Sequence, residues 1–271
     1  MLRNIWIGLL LLLCSADSVS QDRITWDDSG YELVFCDDFD GPNGSRPDPA
    51  KWSCSPRMNC LWARWNSKSP KVAYLKKGTL VCRAIPNRTE RGDTATMLTG
   101  AVETRGKFTF QYGKVEVRMK TNLKRGNFPA AWLMPQYELS ADKRYGEIDM
   151  VEMFGNESVA AHTIHTHRSF TLEKEGLRRK FRSEIDVTKW HVYGIVWEPD
   201  RVIWTVDGKG VGEYPRMRDR QMLDEGQWTF DRPFYIILNQ SVGNGSSPKM
   251  VPNTKTTYET RFDWVRVYKK K

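Results

Sequence analysis

Three observations on this sequence predict an all-β sandwich. Apolar and polar residues alternate with a period of two over most of the chain, turn-forming residues interrupt that alternation at short intervals, and no long stretch repeats with a helical period. In chain order, Cys36-Asp37-Asp38-Phe39 reads as a strand near the start, and Thr79-Leu80-Val81-Cys82 as another. Val115, Val117 and Met119 then alternate with Glu116, Arg118 and Lys120, and Val202, Trp204 and Val206 with Ile203, Thr205 and Asp207. Tyr235 to Asn239 reads as a strand buried on both faces, and Phe262 to Tyr268 alternates again to close the chain. Gly41-Pro42-Asn43-Gly44, Lys77-Gly78, Gly106, Gly113, Asp207-Gly208 and Gly243-Asn244-Gly245 mark turns between these runs. Ser158 to Ile185 is less regular, polar and basic, and reads as an excursion over the surface. No repeat or Pro/Ser-rich linker divides the chain, so residues 22–271 are expected to form one domain.

A chain of 271 residues with 39% apolar and 28% charged content can bury a core without metal or disulfide support, which excludes collagen, low-complexity disorder and a disulfide knot. Eleven Trp are more flat faces than such a core needs, and the surplus is expected where a ligand stacks. The net charge of +9 is spread along the chain, and no zinc-finger spacing, RNP-like motif or basic helix accompanies it. A solvated basic surface is therefore expected, with no nucleic-acid partner.

Residues 1–20 read as an export signal: Arg3 precedes the apolar run from Ile5 to Leu13, and the small triplet Ser18-Val19-Ser20 follows. The run is too short to span a bilayer. Cys14 as a lipid-modified residue is a second reading, opposed by the bulky Leu13 before it; it offers the only membrane contact expected. The protein is thus expected to be secreted, periplasmic or surface-anchored. Export would allow disulfides among Cys36, Cys54, Cys60 and Cys82. Cys54 with Cys60 is the easiest pair on sequence distance, and Cys36 could meet Cys82 across neighbouring strands.

The segment Tyr145-Gly146-Glu147-Ile148-Asp149-Met150-Val151-Glu152 carries the chemistry. In a regular strand Glu147 and Asp149 share one face and Glu152 takes the other; a one-residue bulge at Met150-Val151 brings all three acids to one face. Leaning together over a sugar, the carboxyls of Glu147 and Glu152 could close to the ~5–5.5 Å of a retaining glycosidase pair. Three crowded acids repel, which raises at least one pKa and separates acid from nucleophile. An exposed acidic strand face and a Ca²⁺ site are the alternatives.

Together with Lys124 to Pro135, Gly106 to Arg118, Trp190 to Trp197 and the first and last strands, this segment resembles glycoside hydrolase family 16, the laminarinase and β-glucanase group. The resemblance implies a β-jelly-roll sandwich of two antiparallel sheets with a concave carbohydrate cleft. It implies Glu147 as nucleophile, Glu152 as general acid and then base, and Asp149 as the neighbour that orients them. It further implies sugar contacts at Trp132, His165, Trp65, Asn66, Glu103 and Asn239, and a structural calcium held by Asp38, the Gly78 carbonyl and Asp263. No organic cofactor is expected.

The chain departs from the laminarinase pattern where Gly100-Ala101-Val102-Glu103-Thr104 lacks an Arg, so that Ala101 would face the sugar with room for an axial hydroxyl or an N-acetyl group. The expected function is a monomeric retaining endo-β-glycosidase acting on β-1,3- or mixed β-1,3/1,4-glucan. Alternatives are an endo-β-galactosidase acting on mucin-type or keratan/poly-N-acetyllactosamine glycans, and a catalytically inactive glycan-binding protein, against which the intact acid triplet argues.

Overall fold

A computed structural model describes residues 24–88, 92–136, 144–174 and 176–271. The export segment and Cys14 lie outside the described residues. The strands, in chain order, are β1 (Tyr31–Asp37), β2 (Ser53–Cys54), β3 (Ala73–Leu75), β4 (Leu80–Pro86), β5 (Met97–Glu103), β6 (Gly113–Thr121), β7 (Asn127–Pro135) and β8 (Gly146–Glu152). They continue with β9 (Val159–Thr166), β10 (Lys180–Glu184), β11 (His191–Glu198), β12 (Arg201–Val206), β13 (Lys209–Pro215), β14 (Phe234–Val242) and β15 (Tyr258–Lys270).

Their pairing follows one path, β10-β9-β8-β7-β14-β5-β4-β15-β6-β11-β12-β13, with β1 on β15, β2 on β5 and β3 on β4. The path doubles over at β4 and β5 into two antiparallel layers, the jelly-roll sandwich expected from the sequence. Side chains from both layers meet between them: Trp197 on β11 packs edge-on against Phe234 on β14 with centroids 5.2 Å apart, and Phe181 on β10 meets Trp204 on β12 at 5.1 Å. Burying such rings contributes roughly 2–3 kcal/mol each. Where layers cross closely, only glycine fits: a Cβ on Gly100 would lie 1.9 Å from the Val72 carbonyl oxygen.

β6 buries every second residue, as its alternation requires, and β14 is buried along its whole length, as read for Tyr235 to Asn239. One expectation is corrected. The stretch 158–185 is not a surface excursion throughout, because it holds β9 and β10 at the end of the layer that contains β8. Its strand signal is weak because Ala161, Thr163 and His165 on β9, and Lys180, Arg182 and Glu184 on β10, point away from the core. Only the alternate residues, among them Ile164 and Phe181, enter it.

The cysteines are also placed differently. All four are free thiols: Cys82 lies opposite Ala73 and Thr260, and Cys36 opposite Arg266, so the strand register keeps them apart. Cys54 neighbours Cys82 and accepts from the Arg46 guanidinium at 3.4 Å, while Cys60 is exposed near Tyr145.

Candidate active site

The predicted bulge sits where the acid spacing demands it. On β9, Glu147, Asp149 and Glu152 stand opposite His165, Thr163 and Ala161, three residues two apart and therefore on one face; the extra β8 residue falls between Asp149 and Glu152. The β7 pairing jumps in the same place, with Asp149 opposite Trp132 and Val151 opposite Ala131. Ile148, Met150 and Val151 turn into the core. His162, fully buried between the layers, fixes the irregular backbone: its Nδ1 lies 2.6 Å from the Met150 carbonyl and its Nε2 2.9 Å from Ser183 Oγ. A carbonyl can only accept, so Nδ1 carries the proton. Burial pushes this imidazole down to about 4 and keeps it neutral.

Asp149 is the middle of the triplet, 1% exposed, and its carboxyl hydrogen-bonds both Glu147 and Glu152. Its buried Oδ2 makes no hydrogen bond with a donor of the surrounding strands, and a proton shared among the carboxyls would satisfy it. Burial first, and then the Glu147 charge, raises Asp149 well above the carboxylate range. Glu152 is raised as well, by burial first and then by Asp149 and Glu147; a hydrogen bond with the Thr163 hydroxyl opposes the shift. Like-charge crowding, the cause expected from sequence, is therefore the lesser one.

Glu147 is held from two sides. The Tyr145 hydroxyl donates to its Oε2, and His165 Nε2 lies 3.8 Å from its Oε1 and 3.5 Å from Asp149 Oδ2. Burial lowers the His165 pKa, the Glu147 charge opposes that shift, and the nearby Arg179 and Lys180 reinforce it. His165 thus sits on the Glu147 side of the triplet. Phe170, in the π-helical turn His167–Thr171, stacks on Tyr145 at 4.2 Å and meets the His165 ring edge-on at 5.7 Å, forming an exposed aromatic wall. Tyr145 was legible as i−2 of Glu147 on the same strand face; Phe170 had no sequence signal.

The other predicted sugar contacts are largely covered. Trp132 faces the acid side of the sheet but is 5% exposed, because Trp62 packs edge-on against it at 4.9 Å. Asn239 is buried and positions that indole, accepting from Trp132 Nε1 at 2.8 Å while donating to Ser241 Oγ. Asn66 does not line the cleft: its amide donates to the Pro56 carbonyl, its Oδ1 accepts from Thr99 Oγ1, and it is buried. Trp65 lies in a separate cluster with Ala84, Met97, Val242 and Tyr258, under the Arg64 guanidinium. Glu103 is buried beside Arg105, which lies 3.7 Å away.

Ala101 is 2% exposed and opens no space for a sugar. One cause accounts for these corrections. Residues 55–67 bind the edge of β5 through Ser55, Trp65 and Ser67 and reach β14 through Trp62 and Arg64, covering that end of the sheet.

The calcium ligands do not fit the ion. Asp38 faces Arg266 at 3.3 Å, Asp263 is ion-paired to Arg118, and the acid beside Gly78 is Asp40. Two arginines among the donors oppose a cation there. Among the described residues, the group of ligand atoms close enough to hold a metal is Glu147 and Asp149 of the triplet with His165.

Comparison with known proteins agrees with this geometry. Residues 58–266 match the family described as Glycosyl hydrolases family 16. A keratan-sulfate endo-1,4-beta-galactosidase of Sphingobacterium multivorum is 35% identical over 88% of this chain, and a beta-glucanase of Rhodothermus marinus is 30% identical over 88%. The chain spans 55% of the length of the first and 85% of the second. The crystal structure of a non-specific endo-beta-1,3(4)-glucanase superposes with a TM-score of 0.78 at 26% identity, covering 92% of this chain and 95% of that one.

Proposed function

The chain belongs to glycosyl hydrolases family 16, and from that membership we propose that it is a retaining endo-β-glycosidase in which Glu147 attacks the anomeric carbon. Glu152 protonates the departing oxygen and then takes a proton from the incoming water, and Asp149 holds the two in register. The supporting observation is the buried Asp149 carboxyl hydrogen-bonded to both glutamates on one strand face. Tyr145 orients Glu147 for attack, and burial keeps the proton on Glu152 for delivery.

The preferred substrate class is a β-galactoside glycan of keratan or poly-N-acetyllactosamine type, supported by the 35% identical relative. A β-1,3- or mixed β-1,3/1,4-glucan is the second reading, supported by the glucanase relative whose length the chain covers at 85%. Polymers of either kind stay outside a cell, which accords with the export signal read at residues 1–20, or a lipid tether at Cys14. The reaction needs only carboxyls and water, so a monomer without organic cofactor suffices.

Reducing-end release from keratan, poly-N-acetyllactosamine, mucin, laminarin and lichenan tests this assignment. The first product should be the β-anomer by NMR, and an initial α-anomer would overturn the retaining mechanism. Glu147→Gln keeps the side-chain size but cannot attack, so turnover should fall by at least about 10³-fold while oligosaccharide binding survives. Near-normal hydrolysis by that variant would remove Glu147 from its role.

A further inference from the structure

The sheet register sets two rows of side chains facing one another beside the acids. On β8, β9 and β10, Asp149, Thr163 and Lys180 lie in line across the strands, and so do Glu152, Ala161 and Arg182. At ~4.8 Å per strand, the two cations start about 10 Å from the acid row. The side chains between them, Ala161 and Thr163, are small, and a hollow of about 330 Å³ results, lined by Glu152, Thr163, His165, Lys180, Arg182 and Lys249 among others. That volume is in the range of ligand pockets, ~300–1,000 Å³.

The charge in the hollow is lopsided. Glu157 pairs with both Lys249 at 2.7 Å and Arg182 at 3.6 Å, so one carboxylate serves two cations, and among the described residues no acid ion-pairs with Lys180. Cations facing a general acid favour its ionised form and so work against proton delivery. An anion bound between them and Glu152 would reverse that field.

We propose that this hollow is a sub-site for an anionic substituent, a sulfate ester or a carboxylate, on the glycan bound across the acids, with Lys180 and Arg182 as its ligands and Lys249 at its rim. The proposal rests on the glycosidase reading for the identity of the ligand and sharpens its substrate class to charged β-glycans. Arg182 supplies a planar fork matched to two oxygens of one anion, and Lys180 a point charge on the same strand face two residues away.

The test is calorimetric titration of the Glu147→Gln protein, which binds without turnover, with three lactosamine oligosaccharides: 6-O-sulfated, sialylated and uncharged. At low salt at least one charged ligand should bind about tenfold tighter than the uncharged one. That advantage should shrink at 0.5 M NaCl and vanish in the added double variant Lys180→Gln/Arg182→Gln. A response to the sulfated ligand alone assigns a sulfate ester, and to the sialylated one alone a carboxylate. Equal affinity for all three, no binding of either charged ligand, or an advantage that survives the double variant overturns the sub-site. Hydrolysis is scored separately on the wild-type protein. Charged-ligand binding through Lys180 and Arg182 without reducing-end release would sink the glycosidase reading and leave the sub-site standing, and hydrolysis indifferent to charge would do the reverse.

Discussion

At the scale of single residues, the site works by making two of its three carboxyls reluctant to ionise. Glu152 is raised mainly by burial, which favours its protonated form, the form that the proposed mechanism needs to protonate a leaving oxygen. Glu152→Ala should therefore cripple glycosides with poor leaving groups far more than activated aryl glycosides, and azide should partly restore the latter with a β-glycosyl azide as product. Equal losses on both substrate types, without azide rescue, would refute the acid role. The same burial has a cost in stability. Asp149 binds its proton more tightly folded than unfolded, so its contribution is fully present below the unfolded pKa of ~3.9 and is lost as pH rises through the raised folded value. Asp149→Asn carries no such loss. Its melting temperature relative to wild type should climb by several degrees between pH 4 and pH 8, even as activity falls, and a gap that stays constant across that range would mean that Asp149 titrates normally.

Elements matter through the bulge on β8 and the strands that hold it. The odd spacing of Glu147 and Glu152 reaches one face only because Met150 and Val151 together take the place of one residue. The carbonyl exposed by that irregularity is met by a neutral, fully buried imidazole on β9. Replacing His162 by Leu leaves the Met150 oxygen without its partner, which costs about 1–3 kcal/mol, or roughly 3–10 °C in melting temperature for a chain of this size. Because the bulge also aims Glu152, kcat should drop well below what the folded fraction accounts for. A His162→Leu protein that melts lower but turns over normally when folded would show that strand pairing alone sets the bulge. β9 and β10, at the end of the sheet path, carry a weak local signal because every second residue of each points away from the core.

Across the whole molecule, the basic excess takes on a meaning that composition could not give it. A net charge of +9 dispersed along the sequence looks like a solvated surface, yet folding sets Lys180, Arg182 and Lys249 around one hollow beside Glu152. The sandwich, the acid-bearing strand and its bulge are legible in the chain alone, because period two and an odd acid spacing are local and each residue's face follows from its neighbours along one strand. Which of those faces meets solvent depends on contacts between distant segments. Residues 55–67 fold over β5 and β14, burying Asn66, Asn239, Glu103 and Ala101 and seating Trp62 on Trp132. The β1 and β4 registers separate Cys36 from Cys82, and arginines from other strands occupy the acids that resembled calcium ligands. Each of these outcomes rests on contacts between segments distant in sequence, whose geometry is fixed by how the two layers close on one another and leaves no trace in the local pattern.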